Sequence, residues 1–95
     1  MNVAEMQSKT VTAGYNGWSN YETWCVNLWM NGDQGYYEQL CEILSSRSDL
    51  SDQAEALEDW IRFEYDGEYS SLWADLINNS LAVVDWYEVV EKNQE

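Results

Sequence analysis

From Trp18 onward, apolar residues recur every three or four positions, which is the spacing of one face of an α-helix. No run of five or more residues alternates between apolar and polar side chains, as a half-buried strand would. Only residues 81–84 are ambiguous between helix and strand. The pattern predicts an all-α fold, a compact single domain of four to five short helices with a Trp/Tyr-rich core.

The chain contains no Pro, so helix ends are marked by Gly and by capping residues. Ser19 with Glu22 and Asp85 with Glu88 have the three-residue spacing of a capping box, in which each side chain binds a free backbone N–H. The predicted helices cover residues 19–32, 33–45, 51–65 and 71–79, followed by a short helix from residue 85. Residues 1–17 are polar and weakly patterned, which predicts a flexible N-terminal arm before a single helical domain at 18–95.

Helical spacing also predicts which side chains face the core, including the two cysteines, which have no C-x-x-C spacing. Val84 and Val89 stand where a hydrophobic staple would hold the last helix. The predicted inward residues are Tyr21, Trp24, Cys25, Leu28 and Trp29; Tyr36 or Tyr37, Leu40, Cys41 and Leu44; Leu57, Trp60, Ile61 and Tyr65; Leu72, Trp73, Leu76 and Ile77; and Trp86 and Val90.

The charge of the chain excludes several classes of function. Eighteen Asp and Glu stand against four Lys and Arg, with no His, for a net charge of −14. A protein that binds nucleic acid or an anionic membrane needs a cationic face, so we expect neither kind of binding. No apolar run approaches the ~18 residues of a membrane span and no secretory signal is present, which predicts a cytoplasmic protein.

Catalysis and metal binding also lack their usual residues. Without His there is no ordinary base near neutral pH, and a Ser or Cys nucleophile would lack its activating partner. The carboxylates do not have the spacing of a calcium loop, and the glycines do not fit a phosphate-binding loop. We therefore expect no enzyme activity, no cofactor and no specific metal site.

The negative charge is concentrated in one stretch. Residues 49–68 contain eight acids and one base, Arg62, and so carry half of the net charge. Several of these acids fall on one side of the third helix, where like charges destabilise a helix by a few tenths of a kcal/mol per pair. The predicted partner-binding acids are Asp49, Asp52, Glu55, Glu58, Asp59, Glu64, Asp66 and Glu68, with secondary contacts from Glu38, Glu42 and Asp75.

Two interpretations of this acidic stripe stay open. It is a solvated face that serves solubility, or it imitates nucleic-acid phosphates and occupies a DNA-binding cleft on another protein. One carboxylate per three or four residues gives a charge every ~4.5 to 6 Å, against ~3.4 Å per phosphate along one DNA strand. A mimic built on this helix would therefore need the secondary acids as well.

The run from Trp18 to Trp29, WSNYETWCVNLW, followed by residues 31–36, resembles the opening of a family of small phage- and plasmid-borne proteins with a Tyr/Trp-Glu-Thr-Trp-Asn-Val-x-Leu-Trp motif. Residues 84–90 are similar to the short terminal helix of that family, whereas Cys25 stands where the family often has Asn. The resemblance implies a mobile-element origin and assigns no catalytic residue. By size and acidity, the chain is also similar to DNA-mimicking anti-CRISPR and anti-restriction inhibitors.

These observations together predict an anti-defence inhibitor, most of all an anti-CRISPR protein, that acts in the cytoplasm of a bacterial host. It would bind a CRISPR effector or restriction enzyme and block its DNA binding through the acidic surface. The alternative is an interaction module that inhibits a host or defence protein through exposed aromatics such as Trp18, Tyr15 or Tyr37. We expect a monomer or a small homo-oligomer, because a charge of −14 opposes association unless an apolar face is large.

Overall fold

The computed structural model of the chain describes residues 15–65 and 71–94. Within these ranges the backbone forms five helices, and its one extended pairing is an isolated antiparallel bridge between Tyr15 and Trp18. The helices are α1 (Tyr21–Gly32), α2 (Gln34–Ser46), α3 (Leu50–Glu64), α4 (Leu72–Ala82) and α5 (Trp86–Lys92). The predicted all-α single domain is confirmed.

Each helix begins at a residue whose side chain accepts a hydrogen bond from a backbone N–H of the first turn. Asp33 and Ser71 cap α2 and α4, and the predicted cap Asp85 is confirmed at α5. For α1 the cap is Asn20 rather than Ser19, because the Asn20 side chain accepts the N–H of Thr23 at 2.8 Å. The fifth cap is Asp49, at the start of α3.

A tight turn precedes α1. Asn16 and Gly17 both have positive φ, 48° and 89°, and Tyr15 and Trp18 exchange two backbone hydrogen bonds across them, as in a type I′ turn. The turn brings the Tyr15 ring within 5.0 Å of the Trp24 ring, centre to centre. Residues 1–14, most of the predicted N-terminal arm, lie outside the described residues.

Helix α5 closes the core. It packs against both α3 and α1, while α2 packs against α1 and α3. Val84, Trp86, Val89 and Val90 are all buried and the Asp85 side chain caps the helix, as predicted. The predicted capping box is incomplete, because the Glu88 carboxylate binds the Ser19 N–H and Lys92 instead of the Asp85 N–H. The buried core consists of Met30, Leu40, Ile43, Ala54, Leu57, Val84, Trp86, Val89 and Val90.

The inward face of α1 differs from the prediction. Tyr21, Leu28 and Trp29 are exposed, whereas Thr23 and Met30 are completely buried. The helix is thus rotated so that part of its polar side faces the core. Polar contacts with the region of the last helix explain the rotation.

Two hydrogen bonds join the polar side of α1 to the region of α5. The Thr23 hydroxyl accepts the backbone N–H of Asp85 at 2.8 Å. The Asn93 side-chain amide donates to the Asn27 side-chain oxygen at 2.7 Å. Because these partners satisfy buried polar groups, a polar stripe can face the interior, and the apolar pattern of α1 does not mark its buried face.

In α2 and α3 the predictions are mostly right. Leu40 is buried as predicted, whereas Cys41 is exposed and its expected burial is wrong; Ile43, two positions further on, is buried instead. Cys25 is half-buried, and both cysteines are free thiols. In α3, Leu57 is buried, and the partly buried Trp60 and Ile61 pack against the core, as expected.

Helix α4 makes the fewest contacts with the other helices. The predicted burial of Leu72, Trp73 and Leu76 is wrong, because they are 65%, 69% and 49% exposed, whereas Ile77 is half-buried. Only Ala74 is fully buried in this helix, and Leu81 packs partly buried against the core. A small side chain lets α4 lie close to the domain while its larger apolar side chains point into solvent.

The tryptophans are therefore divided between the core and the surface. Trp86 is buried, and Trp18 and Trp60 are partly buried against the core. Trp29 and Trp73, in contrast, are mostly exposed. The centre of the domain is mainly aliphatic, and the expected Trp-rich core is only partly present.

Candidate partner-binding surfaces

The outer side of α3 carries a row of carboxylates. Asp52, Glu55 and Asp59 are all exposed and follow one another at three and four residues, so they lie on one side of the helix. At 1.5 Å per residue, the row extends roughly 10 Å along the helix axis. It lies opposite the core-facing side that contains Leu57 and Ala54. We call Asp52, Glu55 and Asp59 the α3 acidic row.

No cation in the described part of the chain pairs with this row. Arg62, one turn beyond Asp59, instead donates from Nε to the Glu58 carboxylate at 2.8 Å. Both side chains of that pair are more than a third exposed, so the ion pair contributes little to stability. Its effect on the surface is larger, because it neutralises Glu58 and leaves the α3 acidic row uncompensated.

The other predicted acids are not all alike. Asp49 is the N-cap of α3, where its side chain accepts the N–H of Ser51 at 3.2 Å, so its position is set by a structural role. Glu64 is exposed at the last residue of α3. Asp66 and Glu68 lie outside the described residues.

Of the secondary acids, two lie on a helix that packs against α3. Glu38 and Glu42 are exposed on α2, and Glu38 accepts a hydrogen bond from the Gln34 side chain at 2.8 Å. Asp75 is exposed on α4, which packs only loosely against the rest of the domain. Glu38 and Glu42 therefore lie on a helix that packs against α3, whereas Asp75 belongs to a helix with few contacts to it.

Lys92, on α5, is occupied away from the α3 acidic row. Its ammonium lies 3.1 Å from the Glu88 carboxylate and 4.3 Å from the centre of the Trp18 ring, and it also donates to the Gly17 carbonyl. Glu88 accepts a further hydrogen bond from the Ser19 N–H at 3.2 Å. Partial burial raises the pKa of Glu88, but the bonds from Ser19 and Lys92 outweigh burial and hold this pKa below its ordinary value.

A second surface is apolar. An open pocket of about 330 Å³ lies where α1, α2 and α3 meet. The Trp29 side chain lines this pocket and is 57% exposed, so its indole ring is available to a partner. The lining residues are Cys25, Val26, Trp29, Met30, Tyr36 and Ile61. We call this feature the α1 pocket.

The α1 pocket could not be predicted from the sequence because Trp29 has the spacing of a core residue. The aromatics that were expected as interface anchors are less available. Trp18 is half-buried beneath Lys92, and Tyr15 packs edge-on against the Tyr21 ring at 5.3 Å. Tyr37 is 44% exposed.

Neither a metal-binding cluster nor a membrane-spanning helix is found among the described residues. No group of three or more Cys, Asp or Glu side chains in residues 15–65 and 71–94 is arranged to hold a metal ion. None of the helices in the same ranges has the length and apolar character needed to cross a membrane.

Fold and surface together define a small, strongly acidic helical domain with a carboxylate-rich face and an apolar pocket. Over residues 11–95, the sequence matches the model of DUF7249, a family of unknown function, and the chain belongs to that family. No curated protein and no solved structure matches it.

Proposed function

We propose that the chain is an anti-defence inhibitor from a mobile element that binds a bacterial nuclease complex, most of all a CRISPR effector, and excludes its DNA. The single observation that supports this function is the α3 acidic row, which is exposed and has no cationic partner in the described part of the chain. A cleft that binds DNA phosphates is lined with Lys and Arg, so it attracts such a row.

The inhibitor acts by occupancy and needs no covalent step and no cofactor. Residues 49–68 carry half of the net charge of −14. This concentration of charge orients the inhibitor toward a cationic cleft and speeds association. The α3 acidic row makes the main contacts, with help from Glu38 and Glu42 on the neighbouring α2. Because DNA and the inhibitor compete for the same cations, binding weakens with salt and with added duplex DNA.

Two variants of equal net charge test this proposal. The first removes the row (Asp52→Asn, Glu55→Gln, Asp59→Asn), and the second removes three described acids outside the proposed contacts (Glu22→Gln, Asp33→Asn, Glu91→Gln). Immobilised protein is exposed to lysate from bacteria that carry CRISPR and restriction systems, and bound complexes are eluted with duplex DNA and identified by mass spectrometry. Inhibition of the identified nuclease is then measured for both variants.

We expect the first variant to lose inhibition and the second to keep it, because position and not total charge decides the contact. An equal loss of inhibition in both variants would show that only the total charge matters, and would contradict the role of the α3 acidic row. Full inhibition by the first variant would disprove the assignment of the α3 acidic row.

The α1 pocket supports a second candidate function, inhibition of a host or defence protein through an apolar contact. Trp29 is exposed beside apolar lining residues, and such an aromatic anchor contributes to binding largely independently of charge. In this case Trp29→Ala abolishes capture of the partner, the row variant retains it, and washing with roughly 0.5 M salt leaves the complex intact. The salt response therefore distinguishes the two functions.

A further inference from the structure

Helix α4 presents an apolar face that no other helix of the described chain covers. Leu72, Trp73, Leu76 and Val83 are 65%, 69%, 49% and 50% exposed. At 3.6 residues per turn, all four fall on one side of the helical path, together with the small Ser80. The buried Ala74 lies on the other side, toward the domain.

The same face is nearly free of charge. Asp75 is the only charged residue of α4, and it lies about a quarter of a turn from the centre of the apolar stripe. Helix α3, by comparison, contains five acids and one Arg. A second copy of the chain also carries −14, so two copies can approach each other only where the local charge is low.

We propose that the α4 face is a homodimer interface in which α4 of one copy packs antiparallel on α4 of a second copy. The two-fold axis passes close to Leu76, the middle of the stripe, so that each copy contributes the same patch. In this register the Trp73 side chain lies beside Ser80 of the second copy. A small residue opposite an indole leaves room for the two helices to pack closely.

The exposed area is adequate for association of moderate strength. At ~150–250 Å² for a large aromatic and somewhat less for an aliphatic side chain, the four residues expose roughly 400–500 Å² per copy. This is more than half of the ~800 Å² per partner of a typical stable interface, and the polar residues around the stripe supply the rest. Electrostatic repulsion between the copies opposes this contact, so the dimer is stronger at higher salt.

Sedimentation velocity of the full chain tests the dimer. We expect monomer–dimer exchange at micromolar protein, with more dimer at roughly 0.5 M than at roughly 0.05 M NaCl because the shorter Debye length screens the repulsion. Trp73→Gln should yield monomer, whereas the matched variant Trp29→Gln should still dimerise. Far-UV circular dichroism checks that both variants are folded.

A cross-linking experiment tests the position of the axis. In a Cys25→Ser, Cys41→Ser background, Leu76→Cys should form a disulfide-linked dimer under mild oxidation. A residue on the two-fold axis lies next to the same residue of the second copy. Leu28→Cys is the control, since Leu28 and Leu76 are both 49% exposed.

The proposal would be overturned if the chain stayed monomeric under all salt conditions. It would also be overturned if Trp29→Gln abolished dimerisation and Trp73→Gln did not. Equal cross-linking of the two cysteine variants would overturn the register. None of these outcomes depends on the acidic row.

Discussion

The Thr23 hydroxyl accepts a hydrogen bond from the backbone N–H of Asp85, 2.8 Å away, although the two residues are 62 positions apart. Thr23 is completely buried on α1, and Asp85 is the N-cap of α5. The bond thus fixes the start of the last helix against the first. It also explains why a polar residue occupies a fully buried position on α1.

Replacing this hydroxyl should destabilise the domain. Thr23→Val keeps the shape of the side chain but leaves the Asp85 N–H without its partner, at a cost of about 1–2 kcal/mol in the free energy of unfolding. Thr23→Ser retains the hydroxyl and loses one methyl group, at a cost of about 1 kcal/mol. Urea unfolding measures both losses. Hydrogen exchange distinguishes them, because the Asp85 amide should lose protection in the Val variant only; protection in both variants would show that the bond is unimportant.

Gln53 makes a similar contribution between α2 and α3. It is 2% exposed, and its amide donates to the carbonyls of Leu44 and Arg47 at 3.2 and 2.6 Å. Gln53→Leu leaves both carbonyls at the end of α2 without this donor, and we expect a loss of about 2 kcal/mol in urea unfolding. Gln34→Leu is the matched control because Gln34 is exposed, and it should change stability by less than ~0.5 kcal/mol.

Glu88 should give the domain a specific dependence on pH. Its pKa is lower in the folded than in the unfolded chain, so its contribution is present above the ordinary value of 4.5 and is lost as the pH falls through the folded pKa. Glu88→Gln should therefore be less stable than the natural chain by about 1 kcal/mol at pH 7. The difference should disappear as the pH falls below the folded pKa of Glu88. Since both proteins carry the other acids, comparing their unfolding curves cancels the general effect of protonation; a difference that persists in acid would contradict this role of the carboxylate.

The α3 acidic row should lower stability at low salt. Asp52 and Glu55, and Glu55 and Asp59, are neighbours at three and four residues, and each like-charged pair costs a few tenths of a kcal/mol. Glu55→Gln removes the member that both pairs share and should thus raise the melting temperature at low ionic strength. The gain should shrink at roughly 0.5 M NaCl because salt already screens the repulsion. A loss of stability would indicate that the row makes favourable contacts within the domain.

Much of the fold could be predicted from the sequence because local chemistry determined it. Asp85 caps α5 as its spacing indicates, and Leu57 and Trp60 face inward at helical intervals. These features depend on residues within one or two turns. Helical periodicity and capping therefore identified all five helices.

The orientation of α1 and α4 depended instead on distant residues. Thr23 could be identified as buried only once Asp85 was known to donate to it across 62 positions. Trp29 and Trp73 have the spacing and the hydrophobicity of core residues, yet other helices do not cover them. The acidic surface was easier to predict than the α1 pocket, because charged side chains remain in solvent in almost any packing.

The central place of α5 has a consequence for biosynthesis. A chain emerges from the ribosome with its N-terminal residues first, so α1 to α4 are made before the helix that supplies Trp86, Val89 and Val90 to the core. Until then α2 can already pack against α1 and α3, but the surfaces of these two helices that α5 covers stay exposed. The core of this domain is therefore completed only after α5 has been made, and a chain truncated before residue 84 should remain unfolded because it lacks Val84, Trp86, Val89 and Val90.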